Sequence, residues 1–527
     1  MSCRPCPLHP GGRPPTSVLH TLGAARTPAG RPAAWPGHKG GVKQAHLFRE
    51  AAAGARRDVG AARLPIIRSA AAPLRICGLD LHAYDFDPAI PDEAFTPAGE
   101  LRAHWRPLAI ALRDRDAAAV TPALVTAEPG EPPDSIPLLL PESEWRFLEA
   151  GLRQRVKALN LLLADLYGDA AIVRDGVVPA AVVRGSRQFR VEMRGAVRPE
   201  DVPAAVCRID VARAPGGFRV LRDNVRCPGG GAPMVAVGRV LEEPLRRARD
   251  ACAARDTPPY ASALLETLRE LAPGDADPRV ALLTPGHYNA AFAEHALLAK
   301  AAGMELVTGP DLFVEDGQVH LRGARGSLRV HVLYRQVDDD FLDPLAFRPD
   351  SVLGVPGLLH ACRLGSVAVL NAPGTGVADD PAVFPFVAQA IRYYLAEEPL
   401  LPGVETWACV RPDELEYALD HLGELTIEQR GNNEVLFGPG LSAAERAACA
   451  ARLRAAPDEF VARRAPPVTS APCLVDGRLR QGAVALHCFV LQGRSTRVVP
   501  GALCRDVPTS PGGPGEPRAK DVWIVPE

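Results

Sequence analysis

The segment 280–307 constrains the fold more than any other part of the chain. Val280-Ala281-Leu282-Leu283 is a short unbroken apolar run, the pattern of a strand buried on both faces. Thr284-Pro285-Gly286 breaks it, Asn289 can cap a helix from Ala290 to Ala302, and Gly303 closes that helix. Met304-Glu305-Leu306-Val307 then reads as a second strand. Strand, helix and strand within 28 residues make a βαβ unit, and such a unit joins parallel strands. Further strands are expected at Val319–Arg322 and Arg329–Tyr334, giving a small doubly wound domain. Ligands of such sheets sit beyond the carboxyl ends of the strands. That places Thr284, Pro285, Gly286, Tyr288 and Asn289 near a site, together with Arg335 to Asp340.

Upstream of this unit, Pro141 to Gly168 carries Trp145, Leu148, Leu152, Val156, Leu159, Leu162, Leu163 and Leu166 mostly three or four apart. This predicts a helix that packs a core. A hairpin follows, with strands at Val206–Val211 and Phe218–Leu221 around Pro215, Gly216 and Gly217. At its end stand Arg222, Asp223, Asn224, Val225, Arg226, Cys227 and Pro228, then Gly229, Gly230 and Gly231: either a site edge or a plain hairpin loop. A second amphipathic helix is expected over 259–272, ending at Pro273 and Gly274.

Charge is spread unevenly. The net charge of −2 argues against a general nucleic-acid binder. Residues 1–77, however, hold twelve Lys or Arg against Glu50 and Asp58. Rich in Pro, Gly and Ala, they read as a disordered tail, a transit-type segment or a start assigned too far upstream. No run approaches 18 apolar residues, so no membrane helix is expected. The cysteines from Cys207 to Cys504 stand singly, which fits reduced thiols in a cytoplasm. Cys3 and Cys6, with His9, lack the second ligand pair of a zinc site. Walker, GxSxG, HExxH and EF-hand patterns are missing, so the usual nucleophile and metalloprotease chemistries lack support. Asp338-Asp339-Asp340 is a different matter. Three consecutive carboxylates repel unless a cation shares the charge. They point to an amine or metal contact, with Arg335 gripping a carboxylate, or else to a solvated loop.

Four longer stretches carry a resemblance: TPGHYNAAFAEHALLA (284–299), YRQVDDDFLDPLAFRPDSVLGVPGLL (334–359), GTGVADD (374–380) and IRYYLAEEPLLP (391–402). With the run at 223–228 and LVDGRL (474–479), they resemble the circularly permuted ATP-grasp proteins of bacteria over about residues 84–527. The resemblance implies an α/β chain with α+β lobes: an ATP-grasp fold in circularly permuted order with a Rossmann-like pre-ATP-grasp domain. The domains implied are a basic tail (1–77), a helical region with the permuted metal-ligand strands (78–275), the Rossmann-like domain (276–372) and the nucleotide-cradling lobes (373–527). It also implies ATP, magnesium and ATP-dependent ligation of a carboxylate to an amine, with a peptide-like substrate. Neighbouring genes in the family suggest homologous ATP-grasp, helical, transglutaminase-like or proteasome-like partners.

Carried over by position, the resemblance marks Asp210 and Asn224 as metal-side residues. Asp379, Asp380 and Lys520 fall on the cofactor side. Arg335, Asp338, Asp339 and Asp340 are candidate catalytic residues on the substrate side, with Tyr288, Asn289, Glu294, His295, Arg348, Asp350 and Arg226 as substrate residues. The nucleotide side departs from the pattern. Arg222 stands for a metal-ligand Glu, Pro381 for a phosphate-contacting Lys, and Glu428-Gln429 for Lys-Pro. The flap at Arg430-Gly431-Asn432-Asn433-Glu434 is short of glycines. Ala485-Leu486-His487 stands for Asp-Leu-Arg, while Gly512, Gly513, Gly515, Lys520, Asp521 and Trp523 are kept. A cation at 222 offers magnesium no oxygen. The expectation is a relative with lost or impaired nucleotide chemistry that acts as a binding or scaffold subunit. The alternatives are an active ligase, with Lys520, Arg430 or Arg222 replacing the missing cations, and a decayed product without a role.

Overall fold

A computed structural model describes residues 75–76, 79–80, 84, 87–113, 133–197, 201–274, 277–431, 434–464, 466, 468–475, 478–507 and 518–527. The expected tail therefore lies almost wholly outside the described residues, as do Asn432, Asn433, Gly512, Gly513 and Gly515.

Two strands of the expected hairpin, Val206–Ala214 and Gly217–Asn224, pair antiparallel in a seven-stranded central sheet, with Gly217–Asn224 at its edge. The long strand Arg478–Gln492 runs antiparallel to Val206–Ala214 and brings in Ser470–Val475, Thr496–Val498, Leu503–Val507 and Ala519–Lys520. Side chains alternate between the two faces of a strand, so the pairing register sorts them. Arg208 lies opposite Asn224, Asp210 opposite Arg222, and His487 opposite Asp210. One face thus gathers polar residues. The other buries Cys207, Ile209 and Val211 in the main core with the helix Glu142–Tyr167. That helix forms over the expected stretch, with Trp145, Leu148, Leu152, Val156 and Leu159 fully buried.

The βαβ unit is present as expected. Val280–Leu283, Glu305–Val307, Val332–Arg335 and Ala368–Leu370 form an all-parallel four-stranded sheet, and the helix between the first two is Phe292–Ala302. Two details differ from the sequence reading. The run 329–334 is not one strand: Gly326–Val330 ends at His331, and Val332–Arg335 begins a separate strand in another sheet. Gln318–Gly323 belongs with Leu312–Glu315 and Gly326–Val330 in a three-stranded antiparallel sheet, not in the parallel one. Alternating apolar residues show that a strand exists but do not choose its partner. The glycine run at 229–231 opens a helix, Gly231–Ala251, with Pro244 inside it.

A smaller antiparallel sheet, Thr406–Ala408, Phe460–Arg463, Thr426–Gln429 and Val435–Phe437, carries the helices Pro412–Asp420 and Ala443–Ala455. It has its own core of Cys409, Ala418, Leu422, Leu425, Ile427, Cys449, Leu453, Phe460 and Ala462.

Asn371 fixes the parallel sheet to the central one. Its buried amide donates to the carbonyls of Val206 (2.6 Å) and Val225 (2.8 Å) and accepts from the Val206 N–H (2.9 Å). Buried backbone groups that lose a partner each cost roughly 1–3 kcal/mol. Asn371→Leu is therefore expected to lower stability by at least about 2 kcal/mol in a denaturant titration read by tryptophan fluorescence. A loss under about 0.5 kcal/mol, the range of neutral surface changes, would contradict this bridging role.

Candidate functional site

The polar face of the central sheet meets the smaller sheet along a line of charged groups. Asp210 is buried and accepts two bonds from Arg208 (Nε–Oδ1 2.8 Å, Nη2–Oδ2 3.2 Å) and one from Asn224 Nδ2 (3.2 Å). Burial works against its charge, but Arg208, His487 and Arg222 more than offset this and hold its pKa below the ordinary carboxylate value. His487 lies 3.9 Å from the same carboxylate. Burial pushes the imidazole down to about 3, so it is neutral at physiological pH. Its Nδ1 has no hydrogen-bond partner among the described residues.

Arg222 turns to the smaller sheet. Its Nη2 lies 3.0 Å from Glu428 Oε1, while Arg463 approaches the other oxygen at 3.6 Å and donates to the Leu221 carbonyl at 3.0 Å. Beyond it, Arg430 grips Asp380 with two bonds of 2.9 Å. On the opposite face of the central sheet, Arg155 grips Asp223 with bonds of 2.7 and 2.6 Å. Phe384 lies between Arg155 and Arg463, with the guanidiniums 5.1 and 4.9 Å from its ring centre. Pro381 follows Asp380 directly. Asp210, Asn224, Arg222, Glu428 and the Asp380–Pro381 corner thus lie along one contact between the sheets.

The three aspartates at 338–340 each have an arginine from the chain itself. Asp338 pairs with Arg226 (3.1 Å), Asp339 with Arg335 (2.6 Å) and Asp340 with Arg190 (2.7 Å). Their mutual repulsion is relieved without a metal or an external amine. Arg335 and Asp339 are fully buried. Arg335 also donates to the carbonyls of Asn371, Val337 and Ala372, so it ties loops together and is not turned to a ligand. Asp379 accepts the Val225 N–H at 2.5 Å.

The remaining sequence candidates are scattered. Tyr288 is 92% exposed beyond the strand Val280–Leu283. The Asn289 side chain accepts the Ala291 N–H, one turn before the observed helix start. Glu294 is half-buried; burial raises its pKa, and Arg505 and Arg208 pull it back. His295 is buried against the Thr284 hydroxyl (2.9 Å), and burial pushes it down to about 4. Arg348 and Asp350 pair with each other on the surface (2.6 Å). Lys520 is sealed in the interior on Asp134, with the Ile136 and Pro472 carbonyls as further acceptors, and its amine has no direction left for a phosphate. Sequence reasoning missed Arg155, Arg190, Arg208 and Arg463. Arg208 had a signal, two residues before Asp210 on the same strand face; the others meet their partners Asp223, Asp340 and Glu428 from distant segments.

A divalent ion takes several oxygens free to turn toward it. Here both Asp210 oxygens are engaged, Arg222 faces them, and Glu428 is held by two arginines. No group of three or more His, Cys, Asp or Glu side chains suited to a metal occurs among the described residues. Among the described residues, Asp210 and Glu428 therefore do not offer a divalent ion the free oxygens it takes.

Asp379 gives this region a pH dependence. Burial pushes its carboxyl up from the ordinary 3.8 to about 7. Between those values the native state holds a proton that the unfolded chain has released, so stability rises as pH falls, by at most about 1.4 kcal/mol per pH unit. His487 acts in the opposite sense below its unfolded value. The comparison with Asp379→Asn isolates the carboxyl. Thermal melts from pH 7.5 to 5 are expected to show the parent gaining on the variant as pH falls; parallel curves would contradict it.

The model of the family described as circularly permuted ATP-grasp type 2 matches residues 137–506. An uncharacterized protein of Synechocystis is 41% identical, the match covering 75% of this chain and 84% of that one. An uncharacterized protein of Mycobacterium bovis is 40% identical over 81% of this chain and 79% of its own. A protein of Frankia casuarinae named "Putative glutamate--cysteine ligase 2-2" is 37% identical over 75% of this chain and 47% of its own length. Among solved structures, a glutathione synthetase-like effector from Globodera pallida aligns with a TM-score of 0.47 at 11% identity, over 75% of this chain and 90% of its own. On the family match and these bacterial relatives, the chain belongs to the circularly permuted ATP-grasp type 2 family.

Proposed function

We propose that this chain is a binding or scaffold member of its family whose magnesium and ATP chemistry is lost or strongly impaired. The Arg222–Glu428 ion pair carries the reading. The family resemblance puts a metal-ligand Glu at position 222 and a Lys at position 428. Both are replaced, the signs are exchanged, and the two replacements face each other at 3.0 Å. Two unrelated drifts would not be expected to compensate one another.

Magnitudes support the reading. Two lost charge-assisted bonds to phosphate weaken binding by roughly 3–6 kcal/mol. A nucleotide would also have to separate a largely buried ion pair, which costs about 3–5 kcal/mol when one partner is left behind. Taken without additivity, the larger effect alone is roughly two to four decades of affinity at 1.4 kcal/mol each. The cations that could stand in are committed elsewhere: Arg222 to Glu428, Arg430 to Asp380 and Lys520 to Asp134. The ligand proposed is peptide-like, met at Tyr288, Asp338, Asp340 and Arg226 beyond the parallel sheet. A homologous ATP-grasp, helical or transglutaminase-like protein is the proposed partner, in the cytoplasm. No helix among the described residues is long and apolar enough to cross a membrane.

A second reading has one observation in its favour. The Frankia relative is named as a putative glutamate–cysteine ligase, which keeps an active ATP-dependent carboxylate–amine ligase in view. Calorimetric titration with magnesium and ATP separates the two. No saturable heat is expected up to millimolar nucleotide. Binding in the micromolar range would overturn the first reading in favour of the second.

A further inference from the structure

The smaller sheet and its two helices hold a core separate from the main one, built from Cys409, Leu422, Ile427, Leu453 and Phe460 among others. A lobe with its own core stays folded when it moves, so what fixes its position is the contact with the body. That contact is mostly charged. Glu428 takes Arg222 from the central sheet (3.0 Å). Arg463 donates to the Leu221 carbonyl (3.0 Å), next to the residue that Glu428 holds. Arg430 crosses to Asp380 with two bonds of 2.9 Å and to the Val182 carbonyl at 3.0 Å. Among the described residues, Ala408 and Val461 from the lobe's strands lie in the main core, with Val410 packed against it.

We infer that these ion pairs are a latch: they hold the lobe closed over the polar face of the central sheet without any ligand, and that face becomes accessible only when they part. Three features support this. The pairs come from two sites on the lobe's strand and its end, Glu428 and Arg430, so they resist rotation as well as separation. They are screened from solvent: the side chains of Glu428, Arg430 and Asp380 are 3%, 6% and 6% exposed. And the latch lies between the lobe and the face that carries Asp210, Asn224 and His487, so a partner segment or small ligand headed for that face must displace it. The latch shares its cleft with the proposed function but not its premise. It would also operate in an active ligase, where the nucleotide would have to open it.

Hydrogen exchange by mass spectrometry on the full chain tests the latch. Glu428→Gln leaves Arg222 and Arg463 without a carboxylate. Because one partner of a buried pair is lost, exchange is expected to rise at least about tenfold in peptides spanning the two sides of the contact, 217–224 and 426–431, while the helix Ala443–Ala455 in the lobe's own core keeps the parent rate. Peptides from the helix Glu142–Tyr167 and the strand Val280–Leu283 are expected to keep parent rates. Asp380→Asn is expected to give the same pattern from the second pair. If either variant does not fold, Arg222→Met, which leaves Glu428 with Arg463, is expected to give a smaller rise in the same peptides. Unchanged exchange at the contact, or a rise that extends through the lobe's own core or evenly along the chain, would overturn the latch. Neither result bears on the nucleotide titration, so the two readings fail separately.

Discussion

An ionised side chain taken out of water must find a counter-charge, because the uncompensated cost is several kcal/mol. That constraint organises the region around the central sheet. Arg155 meets Asp223, Arg208 meets Asp210, Arg335 meets Asp339, Arg430 meets Asp380 and Lys520 meets Asp134, each pair largely or wholly buried. Most of these partners lie far apart in sequence. The pairs therefore join sheets and loops that local structure would leave separate. They also use up the groups that a ligand would need. An aspartate bonded twice to an arginine is a poor magnesium ligand, and a lysine closed on an aspartate and two carbonyls cannot grip a phosphate.

The same pairing connects fold to function. In this family order the strands Val206–Ala214 and Gly217–Asn224 come early, the parallel sheet follows, and the smaller sheet returns to cover them late. The chain keeps that scaffold with Asp210 and Asn224 in place. Across the cleft from them Arg222 and Glu428 face each other as an ion pair, and the proposed loss of magnesium and ATP chemistry rests on that pair.

Much of the fold was legible in the chain. The helix Glu142–Tyr167 announced itself through apolar residues three and four apart, and the βαβ unit through two apolar runs around a capped helix. Local periodicity carries that information. It does not carry strand partnership, which is why 329–334 read as one strand although His331 divides it between two sheets. The helix Gly231–Ala251 was hidden because it opens on glycine and contains Pro244. At the site, the positions of Asp210, Asn224, Arg222 and Glu428 could be carried over from the resemblance. Their pairings could not. Asp338, Asp339 and Asp340 suggested an outside cation because Arg190 and Arg226 lie more than a hundred residues away. Lys520 suggested a phosphate contact because nothing local reveals Asp134 beneath it.

The cleft's acids are already neutralised by the chain's own cations, and on this the functional reading rests. Manganese(II) titrated into the full-length protein, with and without ATP, and followed by the paramagnetic resonance of the free ion, tests it directly. The free-ion signal is expected to match that of protein-free controls, because Asp210 and Glu428 stay with their arginines. Stoichiometric loss of that signal, abolished by Asp210→Asn, would show that the site takes a divalent ion and would contradict it.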